Sequence, residues 1–539
     1  MQNRSRVAAL VLNSVSRDIR VCKEADGLAS AGYQVTIIGV ADKSESDIET
    51  IRPSGARIRR LNMPGLAMYR KYRREANISF LVALALGLVT FGIFASSLGL
   101  LLDDLLGQVW NMLGFSGTMM VTILVLLIGR ASKRARTYQT YAQKKALAIL
   151  AEEGGSVVSS RLSLAVRQSR NRVAAFVGAC KNGGVSLLRV AARRRASVHH
   201  RAYFLPELER IQPEIVHCHD LPTLPIGIAW CRRNPAARLV FDSHELYEEV
   251  AGLSMLERWY WRRQLRRFAG RVDGFITVNE SIAAEHARRY PSLPPAVVVR
   301  NATVLPKDEP RDRGLLRAAA KVQSDARILL YQGGYAKERG LEALIRAAPE
   351  LPQGWVLVMM GWGNLQSHLQ TIARAVDPLQ ERIRFIPPAK QTVLRNWTAG
   401  ADLGVIPYEN TCLNHWFCSP NKLWEYPVAG VPILASPFPE LRREIEGAGI
   451  GRLLPEALDG PGLRRVVASI DSESMAEMKT SCHEFARRDH WGVYQDRLLD
   501  LYRRLEKTGA TESRQLLEVK AVSGVVEGAK VISAGNAGT

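Results

Sequence analysis

Two stretches without a single charge, residues 78–102 and 105–129, set the first limit on what this chain can fold into. Each is 25 residues long, and as a helix each would measure about 37 Å, enough to cross roughly 30 Å of hydrocarbon with some tilt. Helices buried in soluble domains seldom run so far without a charge, so a membrane-spanning pair is expected rather than a buried helical hairpin. Gly87, Gly92, Gly99, Gly114 and Gly117 agree with this, because membrane helices tolerate glycine better than soluble ones. Only Asp103 and Asp104 separate the stretches, while Arg70, Lys71, Arg73 and Arg74 precede them and Arg130, Lys133, Arg134 and Arg136 follow. The positive-inside rule then puts both flanks in the cytoplasm and a short loop outside. The expectation is a multi-pass anchor in the cell inner membrane, with the rest of the chain on the cytoplasmic side. No signal peptide is expected: residues 1–13 open with Arg4 and Arg6, and their apolar run is short and lacks a cleavage site.

The charge is as uneven as the hydropathy. Of 539 residues, 73 are Lys or Arg and 52 are Asp or Glu, and residues 131–201 alone hold fifteen basic residues against two acids. A basic excess admits nucleic acid, anionic lipid or a phosphorylated substrate as partner. Its position directly behind the apolar stretches favours lipid. Between residues 162 and 198, apolar Leu164, Val166, Val173, Phe176 and Val177 alternate with Arg167, Arg170 and Arg172, as in a surface-lying amphipathic helix. A solvated charged helix joining domains is the alternative, since Gly154-Gly155 and Gly183-Gly184 interrupt the pattern. No helix-turn-helix, zinc-finger or RNA-reading signature accompanies the charge, so no nucleic-acid partner is expected. Seven cysteines in so long a chain form no disulfide framework.

Outside residues 60–200 the pattern is strand followed by helix. Short apolar runs at 7–13, 34–39, 215–219, 238–243, 274–279 and 297–301 each end on a small or polar residue, as buried parallel strands do. A second series begins at 328–332 and continues at 355–360, 384–386, 403–407 and 432–435. The class expected is α/β, two doubly wound units facing each other, with ligands beyond the carboxyl ends of the strands. The linker is placed at 305–314.

Three segments offer chemistry. Gly333 and Gly334 follow a strand and precede a helix with Arg339 at its head. A glycine turn lets backbone N–H groups approach an oxyanion, and the arginine would pair with a phosphate; a purely structural turn is the alternative. The run Ser419-Pro420-Asn421-Lys422-Leu423-Trp424-Glu425-Tyr426 puts a lysine and a carboxylate on one short helix. Glu425 could accept both hydroxyls of a ribose or stand merely exposed; Lys422 is a phosphate ligand or a solvated lysine. His217-Cys218-His219-Asp220 ends a strand whose alternation puts both imidazoles on one side, with Asp220 opening the loop. Of the two, His217 is expected to pack beneath. Cys412, His415 and Cys418 lack a fourth ligand, and no metal is expected.

Five segments in this order resemble the retaining family-4 glycosyltransferases of the GT-B fold, also called glycosyltransferases group 1. They are D-I-R-V-C-K-E-A-D-G-L-A-S-A-G-Y-Q-V-T from Asp18, I-V-H-C-H-D-L-P-T-L-P from Ile215, F-D-S-H-E-L-Y from Phe241, Q-G-G-Y-A-K-E-R-G-L-E-A-L-I from Gln332 and S-P-N-K-L-W-E-Y-P-V-A-G-V-P-I from Ser419. The resemblance covers about 1–60 and 200–507. It implies two Rossmann-like domains closing over a nucleotide sugar, with an inserted two-helix transmembrane hairpin peculiar to this chain. Residues 1–60 and 201–304 would form the N-terminal domain, 61–200 the insertion, 305–485 the nucleotide-sugar-binding domain, 486–507 a helix returning to the N-terminal domain, and 508–539 a disordered tail.

The resemblance also implies roles: donor binding by Gly333, Gly334, Arg339, Asn421, Lys422 and Glu425, and catalysis around His219 and Asp220. Arg339 takes the position of a diphosphate-binding lysine and Glu425 the second glutamate of a Glu-(seven residues)-Glu motif that holds the ribose. His219 takes the active-site histidine. Two positions depart from the pattern, Phe417 at the first glutamate and Gly334 at the usual arginine, so Lys422 would supply the missing charge. The family's reaction keeps the anomeric configuration and needs no cofactor or metal. The expected partners are a UDP- or GDP-linked sugar and a lipid-linked or cell-envelope polysaccharide acceptor at the membrane. The alternatives are a sugar-nucleotide epimerase and a non-catalytic GT-B-like scaffold of a polysaccharide assembly complex.

Overall fold

Parallel strands covered on both faces need apolar residues at every position, and the strands of this chain have them. In β1 (Arg6–Leu10) only the first residue is exposed, and β5 (Ile215–His219) is buried from end to end. A computed structural model describes residues 4–16, 18–42, 48–63, 186–306, 308 and 314–507. The chain falls into two compact units, residues 1–63 with 195–539 and residues 64–194. Of the second unit only 186–194 are described, as helix. The stretches 78–102 and 105–129, most of the basic region 131–201, residues 307 and 309–313 of the expected linker and the tail 508–539 lie outside the described residues. Among the described residues no helix is long and apolar enough to cross a membrane.

The first unit holds two sheets. One has eight strands: β1, β2 (Gln34–Val40), β3 (Glu49–Ile51), β4 (Arg57–Leu61), β5, β6 (Arg238–Ser243), β7 (Gly274–Thr277) and β8 (Ala296–Val298), in spatial order β3-β4-β2-β1-β5-β6-β7-β8. The order reverses at the neighbours β1 and β5, the switch point where open α/β sheets form crevices. Residues 64–194 enter between β4 and β5, so the strands on either side of them still share one sheet. Only β3 runs antiparallel, pairing Glu49 with Arg59.

This edge pair is absent from the strand pattern expected above. The five residues of β4, R-I-R-R-L, carry three arginines and do not read as a buried strand. Ion pairs take the place of apolar contacts there: Arg59 meets Glu49 at 3.2 Å and Glu207 at 3.4 Å.

The second sheet has six parallel strands in the order β11-β10-β9-β12-β13-β14: β9 (Arg327–Gly334), β10 (Trp355–Trp362), β11 (Ile383–Ile386), β12 (Leu403–Ile406), β13 (Ile433–Ala435) and β14 (Gly451–Leu453). The helices that matter below are α1 (Ile19–Ser30), α2 (Leu224–Arg233), α3 (Met255–Phe268), α4 (Glu280–Arg289), α5 (Leu341–Ala347), α6 (Lys422–Glu425) and α7 (Pro439–Ala448). Residues 491–507 form a last helix that returns to the first sheet. Its Trp491 amide donates to Thr303, and Leu501 packs where Gly274 leaves room for it.

The two sheets are joined by polar contacts. Asn279 at the start of α4 donates its amide to the Phe417 carbonyl at 2.7 Å and to Ser419 Oγ at 2.8 Å. Asn414 accepts from the Leu246 amide at 2.9 Å and donates to Glu245. Arg300 pairs with Glu444 of α7 at 2.8 Å and with Asp489 at 3.0 Å.

Candidate active site

The glycines expected to form a turn lie inside a strand. Gly333 and Gly334 are the last two residues of β9 and pair with Gly361 and Trp362 of β10. Gly333 has φ +125°, and a Cβ there would stand 3.0 Å from the ammonium of Lys422. Its missing side chain is therefore the space that lets the lysine in. The turn comes later, at 337–340. It ends on Gly340, where φ is +66° and a Cβ would collide with the Pro407 carbonyl. α5 begins only after Gly340, so Arg339 precedes the helix it was expected to head.

A cavity of about 370 Å³ opens at the carboxyl ends of these strands. Gly333, Arg339, Asn421, Lys422 and Glu425 line it, together with Gln332 and Tyr408, and Ile19 contributes from α1. Gly334, His219 and Asp220 are not among its lining residues. Five of the eight expected site residues thus meet in one place.

Tyr408 organises the cationic wall. The Arg339 guanidinium lies 4.2 Å from the centroid of its ring, and Lys422 Nζ lies 3.4 Å from its hydroxyl and 5.1 Å from the ring centroid of Tyr331. Among the described residues, neither cation forms an ion pair with a carboxylate. Burial pushes the Tyr408 hydroxyl up to about 12 against the pull of Arg339, so it stays neutral and accepts from the Lys422 ammonium. Two fixed cations without a counter-charge form an anion site, and their planar and point-like geometries suit adjacent phosphates.

The same cavity holds a carboxylate. Glu425 Oε2 accepts from Gln332 Nε2 at 2.9 Å, and Gln332 Oε1 accepts from Thr398 Oγ1 at 2.7 Å. The amide thereby fixes the carboxylate orientation. Lys23 of α1 lies close enough to Glu425 to feel its charge, and burial followed by Arg20 brings the lysine down to about 8.

His219 and Asp220 belong to a second polar cluster, built on the end of β5 and β6. Asp242 is its centre: Arg20 donates to it from Nε at 3.2 Å and from Nη2 at 3.0 Å. His217 stacks on His219 at 4.1 Å, and His219 Nδ1 lies 3.1 Å from His244 Nε2. His219 is 4% exposed, so it packs beneath His244 much as His217 does. The side chains that reach solvent are His244 and Asp220, whose backbone holds the left-handed φ of +63°.

Burial opposes a charge on His244, but Asp220 and Asp242 overcome it and raise the imidazole to about 10. Burial, then His217, keeps His219 well below its usual value, and burial plus Asp242 lifts Glu24 to about 8. Glu24, His217, His219 and Asp242 each bring a donor atom within 4.8 Å of the others. Arg20 pairs with two of these four residues, 3.0 Å from both Glu24 and Asp242. His415 turns to Thr411 Oγ1 at 3.0 Å, and no cluster with Cys412 and Cys418 forms among the described residues.

Sequence reading missed Tyr408, Gln332 and His244. The signals for them were weak: a Pro-Tyr after β12, a Gln before the paired glycines, and a second His-acid pair, His244-Glu245, one strand over.

Comparison with known proteins agrees with this architecture. Residues 162–304 match the model of Glycosyltransferase Family 4, and residues 326–469 match that of glycosyl transferases group 1. The chain is 25% identical over 260 residues to D-inositol 3-phosphate glycosyltransferase 2 of Catenulispora acidiphila, covering 46% of this chain and 59% of that one. It is 27% identical over 248 residues to D-inositol 3-phosphate glycosyltransferase of Thermobispora bispora, covering 43% and 56%. The matches thus span little more than half the length of these relatives. Among solved structures, sucrose-phosphate synthase from Thermosynechococcus elongatus superposes with a TM-score of 0.59 at 14% identity, covering 94% of this chain and all of that one. A glycosyltransferase from Rickettsia africae superposes with a TM-score of 0.51 at 11% identity, covering 94% and 99%. Residues 162–304 are thus similar to glycosyltransferase family 4 and residues 326–469 to glycosyl transferases group 1, and the fold is that of the GT-B glycosyltransferases.

Proposed function

We propose that this protein is a retaining glycosyltransferase that moves a sugar from a UDP- or GDP-linked donor onto a lipid-linked or cell-envelope glycan acceptor at the cytoplasmic face of the cell inner membrane. One observation carries the reading: Arg339 and Lys422 line a cavity of nucleotide size without a carboxylate partner among the described residues, and an oriented Glu425 lines the same cavity. The donor diphosphate lies against the two cations, and the ribose hydroxyls donate to the Glu425 carboxylate that Gln332 holds. As the bond between the anomeric carbon and the phosphate oxygen breaks, negative charge grows on the diphosphate. Fixed cations stabilise that charge more than they stabilise the ground state. The acceptor hydroxyl attacks from the same face, and its proton passes to the departing phosphate oxygen.

The acceptor approaches from the His244 and Asp220 side. The names of the relatives support a sugar transfer, and the uncharged stretches 78–102 and 105–129 with basic flanks support the membrane location. The test is direct. Membranes carrying the chain are incubated with labelled UDP- and GDP-sugars and a lipid extract, while nucleotide binding is followed separately by thermal shift. Binding without transfer to any acceptor would favour a scaffold; a folded chain that binds neither nucleotide ends the proposal.

A further inference from the structure

From the outer face of α3, we infer that this helix is a docking surface for an anionic phospholipid bilayer. Ser254 caps it, accepting from the Glu257 amide while Glu257 reaches back to the Ser254 amide, so it begins firmly at Met255. Glu257, Tyr260, Trp261, Leu265 and Phe268 are buried and fix which face remains outside. On that face Met255 is 86% exposed, Trp259 59% and Leu256 37%. Met255, Trp259, Arg263 and Arg266 stand at i, i+4, i+8 and i+11, within about 80° of one side of the helix.

The basic half of this face has no acid to answer it. Arg258 and Arg262 are taken by Glu249, but Arg263, Arg266, Arg267 and Arg271 are exposed and make no ion pair among the described residues. The only acid of α3, Glu257, is buried in the cap. Arg263 instead lies 5.7 Å from the Trp259 ring centroid. An apolar tip carrying an indole, followed at once by uncompensated guanidinium groups, matches the boundary between acyl chains and phosphate headgroups. Nucleic acid or an acidic protein would answer the arginines and leave Met255, Leu256 and Trp259 in water. The inference needs neither the transfer reaction nor the stretches 78–102 and 105–129, since it concerns one described helix.

Met255 supplies its own probe, because its thioether is oxidised by peroxide only where solvent reaches it. Full-length protein is incubated with liposomes of phosphatidylcholine, with or without phosphatidylglycerol, and Met255 oxidation is followed by peptide mass spectrometry. The expected result is oxidation at least about threefold slower on the anionic liposomes, with each neutralised arginine weakening liposome affinity about fivefold. The variant Arg263→Gln/Arg266→Gln/Arg267→Gln should lose the protection with unchanged thermal unfolding, and Trp259→Ser should weaken it without removing its lipid dependence.

Equal oxidation on both liposomes overturns the inference, as does full protection of the triple variant or equal protection by DNA or polyglutamate. Flotation of the chain with an unprotected Met255 overturns this surface while leaving the membrane location proposed above intact. Protection without any glycosyl transfer supports the surface and counts against the activity.

Discussion

The ammonium of Lys422 stops 3.4 Å from the hydroxyl of Tyr408 in a site where the lysine is only 9% exposed, and no carboxylate among the described residues lies within ion-pair range of it. A buried charge held by a neutral hydroxyl and two aromatic faces is costly to the empty protein and useful to one that binds anions.

Lys422→Met should therefore move stability and binding in opposite directions. Affinity for UDP or GDP is expected to fall about tenfold to a hundredfold, the worth of a charge-assisted hydrogen bond. The melting temperature should stay level or rise, because an unanswered buried charge has been removed. Calorimetric titration and thermal unfolding on the same preparation check both signs, and a variant that melts earlier yet binds normally would assign the lysine to structure.

Removing Glu425 has a different cost. In Glu425→Ala the Gln332 amide loses its acceptor in a buried setting, so about 1–3 kcal/mol of stability should go together with nucleotide affinity. Gln332→Glu places a second carboxylate against the first and should weaken nucleotide binding through repulsion. Titration against UDP and GDP separates these effects, since the glutamate variant leaves no amide stranded.

The cluster beneath predicts a pH dependence. Glu24 has its folded pKa raised from 4.5 to about 8 and His244 from 6.5 to about 10. A raised folded value means that the folded protein holds protons the unfolded chain has released, so stability falls as pH rises. Glu24 acts between about pH 4.5 and 8, and His244 between about 6.5 and 10. Glu24→Gln keeps the neutral form at every pH, and should melt above wild type beyond pH 8. Melting curves from pH 6 to 10 test this; parallel curves would mean that Glu24 remains ionised.

His219 and His244 should separate in their effects. His219→Ala removes a ring stacked in the interior and is expected to cost about 1–3 kcal/mol of stability. His244→Gln, at the exposed edge of the cluster, should spare nucleotide binding and lower transfer by about tenfold or more, as the loss of a positioned polar group does. Equal loss of transfer in both, with stability intact, would return the acceptor-side role to His219.

Phe417 packs with Leu246, Val278 and Ile282 from the first sheet. Replacing it by glutamate should place a carboxylate in that apolar contact and loosen the join by about 1–3 kcal/mol. Limited proteolysis across residues 409–421 reports the loosening.

How legible this was from sequence depended on whether a feature is local. β1, β5, β6, β9 and β10 announce themselves, because a strand covered on both faces must be apolar throughout. β4 does not, since Arg57 stands in solvent while Arg59 and Arg60 satisfy themselves through ion pairs and hydrogen bonds that only the folded chain supplies. Lys422 and Glu425 stand three residues apart and could be read together; Tyr408 gains its meaning from Arg339, 69 positions earlier, and so could not. Alternation placed His217 and His219 on one side of β5 but says nothing of depth, which His244 on the neighbouring strand's loop decides.

The helix 491–507 has a bearing on how this protein can be handled. His217 Nδ1 lies 2.9 Å from the hydroxyl of Tyr502, so the imidazole under the cleft is shut off from below by a side chain 285 positions downstream. Trimming the chain back to Asp489 for crystallisation or expression would open that floor to water, hydrate Asp242 and Glu24, and reset every proton equilibrium above them. A shortened protein that still looks folded would then report acid–base chemistry belonging to the truncation.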